Sequence, residues 1–380
     1  MLQEISNIVK RARERGGRTL GDLARDSTVP LGVLEALEDG RMGITTRQLD
    51  ELARALALDS AALLNGREVA RTVPSVFLRH QGMQDFDEID SGSLDRALEQ
   101  GRSLTALGQA LGEPPPVLQT GTFRHRDAAA DHQEAPAKEG YRLAGEVRRW
   151  LGNTSDPLAD VRELLERRCG VAVLVSPLQT ARTTAVGVRG DGSAAVVLND
   201  RDLQRASNPL LTRVYLMHEL CHIMFDPSLG GVHIVIDSGD DHKAHAAEQR
   251  ARAFAAEMLL PLDGLVRLLG DPRGVSETAR AADLVARSRS RFGTPHEIAV
   301  NHLCNLNFVD IRLREWLEAT RTTYGASPPS TSLPASCGPS ILLREYVERS
   351  HREGILTDEE ALTTLGMDRL APLPWDEVSL

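Results

Sequence analysis

The sequence predicts a multi-domain, mainly α protein in which one region is α+β. Three observations carry that expectation. The 380 residues exceed what a single hydrophobic core usually organises. Residues 2–64 break into short amphipathic runs punctuated by Gly16-Gly17, Ser27-Thr28 and Asp39-Gly40. Between residues 171 and 198, β-branched runs flank the turn Gly190-Asp191-Gly192, and a long apolar helical pattern follows.

Taken in order, residues 1–70 form the first domain, with five helices expected near 2–15, 19–26, 30–38, 45–57 and 60–64. Residues 71–137 follow as a helical segment and a linker. Leu94, Leu98, Leu104, Leu107 and Leu111 predict one or two helices that end at Gly112-Glu113-Pro114. Polar and small residues from Thr120 to Lys138 predict a flexible tether, in which His125 and His132 are solvated.

Residues 138–310 form the α+β domain. Helices are expected over 141–151 and 157–168, then a strand over 171–175 and a hairpin of 184–189 with 194–198, one sheet face packing on helices. Gly230 to Asp241 reads as a loop, and a helix runs from about 241 to 260. Further helices are expected near 262–269, 276–291 and after Pro295. Residues 311–380 form a helical C-terminal extension, with a loop over 326–340 and a final helical pair, 341–351 and 357–365.

Composition narrows the functional classes. The net charge of −10 argues against a generic nucleic-acid binder. No apolar run reaches the ~18–20 residues of a membrane span, and no secretory leader is evident, so the expected location is the cytoplasm. Cys169, Cys221, Cys304 and Cys337 are scattered and read as reduced thiols.

The chemistry lies in His218-Glu219-Leu220-Cys221-His222, set among Leu216, Met217, Ile223, Met224 and Phe225. On a helix, residues i and i+4 share a face, so both imidazoles can reach one ion. Glu219 is offset by one residue, where a carboxylate reaches a coordinated water rather than the metal. Two His ligands plus a general base is the arrangement of a zinc peptidase. Burying these groups without a partner would be costly, and a metal removes that cost. Cys221 points roughly 100° away from His222 and reads as packing. A third ligand is needed. Glu248, 26 residues after His222, shares the inward face of its helix with Ala251 and Ala255. His245 is the rival, and Glu257 points to the opposite side.

The two motifs together resemble the ImmA/IrrE family of metallopeptidases: His218-Glu219-Leu220-Cys221-His222, then Glu248, Ala251, Phe254, Ala255, Leu259, Leu260 and Pro261. Residues 140–151, 169–178 and 194–199 resemble the family's entry helix and the strands before its active-site helix. Cys221 departs from the family, where Gly is usual. The resemblance implies a zincin-like domain, with zinc held by His218, His222 and Glu248 and with Glu219 as base. It also implies a regulatory endopeptidase that cuts a repressor or other partner protein in response to stress or mobile-element signals. Tyr215, His233 and His245 are candidates for the oxyanion donor.

Leu20, Leu23, Ala24, Leu34, Leu37 and Gly40 resemble the lambda-repressor-like (XRE) helix-turn-helix, with a recognition helix starting near Pro30. Arg18, Thr28, Pro30, Leu31 and Arg41 are the candidate DNA contacts, and Arg11, Arg13 and Arg25 are further candidates for phosphates. Residues 1–70 carry ten basic and eleven acidic side chains, and the recognition helix offers few groups that pair with base edges. Its apolar start also suits a protein partner. The second functional class is therefore a helix-turn-helix transcription regulator whose zinc domain senses or supports without proteolysis. Homodimerisation is a further expectation.

Overall fold

The computed structural model describes residues 2–15, 19–27, 29–41, 43–56, 58, 63–64, 66, 74–75, 88–113, 134–178, 183–190, 193–200, 209–225, 232–238, 246–320, 338–368 and 371–375. It divides into two units, Met1–Val73 and Pro74–Leu380. None of the described helices is long and apolar enough to cross a membrane.

The first unit holds α1 (Leu2–Arg15), α2 (Leu20–Ser27), α3 (Leu31–Glu38) and α4 (Thr46–Ala55). Ile5, Ile8 and Val9 of α1 meet Leu23, Leu34, Leu37, Leu49 and Leu52 in one core. The helix expected over 60–64 lies mostly outside the described residues, although Leu63 and Leu64 are helical. Pro30 precedes α3 and gives it no side-chain cap, so the chain enters the helix on proline's fixed φ alone.

The second unit opens with β1 (Pro74–Ser75) and α5 (Glu88–Ala110), followed by α6 (Pro136–Leu151). One helix thus spans the region expected to form one or two. The expected tether loses its end to α6, because Pro136 suits a first helical turn and Glu139 complements its dipole. Next comes α7 (Val161–Glu163), which runs into a π-helical turn, Leu164–Cys169. Its start is later than expected because the Asp160 carboxylate caps Glu163 N at 3.1 Å. The strands β2 (Val171–Ser176), β3 (Thr183–Gly190) and β4 (Ser193–Asn199) lead to α8 (Pro209–Phe225), β5 (Val232–Ser238) and α9 (Ala246–Leu259). The remaining helices are α10 (Leu262–Leu269), α11 (Thr278–Phe292), α12 (His296–Asn305), α13 (Arg314–Ala319), α14 (Ile341–Arg352) and α15 (Asp358–Thr364).

The sheet has the order β1-β5-β3-β4-β2. β3 is antiparallel to β4 and β5, whereas β2 runs parallel to β4 and β1 parallel to β5. The strand β5 corrects the expected loop over 230–241: Val232, Ile234 and Ile236 recur with the period of two that a strand requires.

A second correction concerns the sheet faces, because helices cover both. On one face, Val171, Val173, Val175, Ala185, Val196 and Leu198 join α6, α8 and α9 in a core. On the other, Ala172, Leu174, Val186, Val188, Ala195 and Val197 pack against α5 and α14. Burial on both faces is why β2 and β4 read as continuous apolar runs rather than alternating ones.

Glu166 joins the last helices to this sheet. It is 2% exposed and accepts from Ser340 Oγ (2.6 Å), Leu342 N (3.2 Å) and Val173 N (3.3 Å), with Arg162 as its ionic partner. Burial pushes its carboxyl pKa up, against the opposing pull of Arg162 and these hydrogen bonds. Glu166→Ala removes the buried ionic partner of Arg162 and the acceptor of three donors. The expected cost is roughly 3–5 kcal/mol in urea unfolding, and a change under ~1 kcal/mol contradicts the account.

Candidate metal centre

The helix α8 is buried along nearly its whole length: Leu216, Met217, Leu220, Cys221, Ile223, Met224 and Phe225 are all core residues. A helix apolar on every side has to be enclosed by its neighbours. His218 and His222 therefore leave water with it, at 4% and 1% exposure, and Glu219 is fully buried.

The two imidazoles meet edge to face, with ring centroids 4.7 Å apart and Nε2 atoms 3.0 Å apart. The first turn of α9 brings Glu248 against them. Its Oε2 lies 3.2 Å from His218 Nε2, and its Oε1 lies 3.2 Å from His222 Nε2. Burial alone would raise the Glu248 carboxyl pKa, but hydrogen bonds and charge from His218 and His222 outweigh it and hold it well below the usual carboxylate range. The group therefore faces the histidines as a carboxylate.

This donor set fits a zinc ion. Ligand atoms about 2.0–2.1 Å from a tetrahedral zinc lie about 3.3 Å from each other. One ligand atom from each of His218, His222 and Glu248 falls within a 4.8 Å group. Glu219 stands apart from it, with Oε2 accepting a hydrogen bond of 2.9 Å from the backbone N–H of Gly187 on β3.

Residues 167–303 match the family model of the peptidase M78, IrrE N-terminal-like domain. That match indicates a metallopeptidase, a class that requires a metal, typically zinc. It takes in His218–His222, the helix carrying Glu248, and Gly187, and it does not extend to residues 1–73. No curated protein matches the chain.

The other candidate residues fall elsewhere. Cys221 is a fully buried core residue of α8 outside the metal group. Glu257 accepts from Leu262 N at 2.9 Å and lies 3.3 Å from His302, so it ties α9 to α10 and α12. His302 Nε2 is 2.9 Å from Leu260 O and His296 Nε2 is 2.7 Å from Leu317 O, which makes both internal struts. Tyr215 packs half-buried against the core. His245 and the side chain of His233 lie outside the described residues, as do Arg18 and Thr28. Pro30 and Leu31 are exposed at the start of α3. Arg41 is exposed and bonds Asp39 at 3.1 Å, and Arg13 bonds Glu38 at 2.7 Å, so acidic neighbours already offset both cations. Gly187 was missed. Its signal was a glycine inside a β-branched strand, a mark of close backbone approach.

Proposed function

We propose that the chain is a zinc-dependent endopeptidase of regulatory type, acting in the cytoplasm on a partner protein such as a repressor. The observation that carries this reading is the convergence of His218, His222 and Glu248 beside a buried Glu219 anchored by its own hydrogen bond. A zinc ion bound there supplies Lewis acidity and brings the pKa of a coordinated water toward neutrality. Glu219 then takes the proton of the attacking water and returns it to the leaving amine. Burial of the site keeps bulk water away from these charges and strengthens them.

The geometry of the sheet supports a peptide substrate. Among the described residues, Ile234–Ser238 of β5 pair with β3 alone, so no described strand covers the outer edge of that stretch. Val235 of β5 lies opposite Gly187, the residue bonded to Glu219. An extended peptide added to that edge would pass about two strand spacings, each ~4.8 Å, from the strand that holds the base. In this reading the N-terminal unit recruits the partner, either as a helix-turn-helix on DNA or through the exposed apolar start of α3.

Zinc analysis of the purified chain tests the centre directly. Wild type is expected to hold one zinc per chain. Glu248→Ala is expected to weaken zinc binding by more than ~100-fold, beyond the loss that follows removal of an outer-shell partner. Equal affinity in the two proteins would remove Glu248 from the centre.

A further inference from the structure

The strand β3 lies along α8 by the face that carries Ala185, Gly187 and Arg189. Ala185 is in the core shared with α8, and Arg189 Nη1 donates to Ile223 O near the C-terminal end of that helix. Between them, Gly187 lets Glu219 reach the backbone. A Cβ at this position would stand 2.8 Å from Glu219 Oε2, 3.3 Å from Ile223 Cγ1 and 3.4 Å from Ile223 Cδ1. The first distance is shorter than real Cβ atoms tolerate, so an added Cβ would displace the carboxylate of the fully buried Glu219. The same residue supplies the 2.9 Å donor to Oε2.

We propose that Gly187 is a positioning residue for Glu219. Its missing side chain leaves the space the carboxylate occupies, and its N–H fixes Oε2. The inference rests on the metallopeptidase reading above and adds to it a determinant outside the metal-binding motif. Gly187 sits in an inner strand paired on both sides, Val196 of β4 opposite it on one and Val235 of β5 on the other. The donor is therefore held by the sheet as a whole and not by a mobile loop. A hydrogen bond to a buried carboxylate is charge-assisted, and it aims the group more firmly than a neutral bond does.

The test uses the full-length zinc-loaded chain and acetohydroxamic acid. Bound at a zinc held by His218, His222 and Glu248, this probe would pass its hydroxyl proton to Glu219, giving the hydroxamate anion and a protonated carboxyl. Wild type, Gly187→Ala, Glu219→Gln and the double variant are compared for zinc content, thermal midpoint and acetohydroxamate dissociation constant. Gly187→Ala is expected to keep the wild-type zinc content and to bind the probe about tenfold more weakly, the size of one hydrogen bond to a charged group. The double variant is expected to bind no more weakly than Glu219→Gln alone, because both changes act on one carboxylate. If Gly187→Ala lowers the midpoint sharply, Gly187→Ala with Ile223→Ala removes both contacting carbons of Ile223 and keeps the contact with Glu219. Wild-type probe affinity in Gly187→Ala, additive losses in the double variant, or loss of zinc would each overturn the proposal. A wild-type chain that takes up no zinc overturns the metallopeptidase reading and this proposal with it. Wild-type zinc binding with an inert Gly187→Ala overturns the proposal alone.

Discussion

Glu219→Gln is expected to abolish peptide hydrolysis while leaving zinc in place. The two histidines and Glu248 surround the metal position, and Glu219 bonds instead to Gly187 on the sheet. Glutamine is nearly the same shape, so the packing beside Gly187 and Ile223 survives. What disappears is the ability to accept a proton. General bases contribute roughly 10²–10⁴-fold, and loss of that order is expected here. The comparison is made on the partner protein once identified, with zinc content measured on the same samples. Retained cleavage would transfer the base to another residue. Retained regulation with no cleavage in either protein would favour the non-proteolytic regulator.

Gly140→Ala is expected to weaken the centre from a residue that touches no ligand. Gly140 lies on α6 where it crosses α9. A Cβ there would stand 2.2 Å from Arg250 O, 2.9 Å from Ala253 Cβ and 2.9 Å from Phe254 N. Two of these atoms are helix backbone, so the clash cannot be relieved by turning a side chain. The Arg148 guanidinium binds α6 to the far end of α9 through Met258 O at 2.9 Å, and burial lowers its pKa to about 10, so it stays charged at neutral pH. With that end tied, the strain falls on the end carrying Glu248, two residues from Arg250. Metal sites tolerate ligand errors of about 0.2 Å. Zinc affinity is therefore expected to fall ~10–100-fold, the range seen when ligand support is lost, with stability down by about 1–3 kcal/mol from overpacking. If stability falls while zinc affinity holds, α6 has moved instead and the link to the metal is wrong.

Much of the centre was legible because its chemistry is local. The i, i+4 spacing of His218 and His222 needs only a helix to make a pair, and the apolar residues around them announced that the helix is buried. Glu248 was legible by periodicity on the next helix pattern, although rivals such as His245 could not be removed by spacing. The helix starts near Leu2, Leu20, Leu31 and Leu262 followed from turn and cap signals close in sequence. Long-range features were not legible. The strand Val232–Ser238 carries a period-two pattern, but flanking glycines and acidic residues made it resemble a loop. The tie from Glu166 to Ser340 and Leu342 spans 174 and 176 residues, beyond any local pattern. The spaces at Gly140 and Gly187 depend on which backbone passes opposite, and a glycine by itself does not name its neighbour.

The cover formed by α5 and α14 over the second sheet face limits how the chain can be cut. The family match ends at residue 303 and begins at 167, so it contains neither helix. A fragment trimmed to those limits would turn Leu174, Val186, Val188 and Val197 toward solvent as one contiguous oily plane. Such a piece is half of a folded body, and its natural fate is self-association. The hydrolytic centre thus depends for its solubility on two stretches of chain that hold none of its ligands.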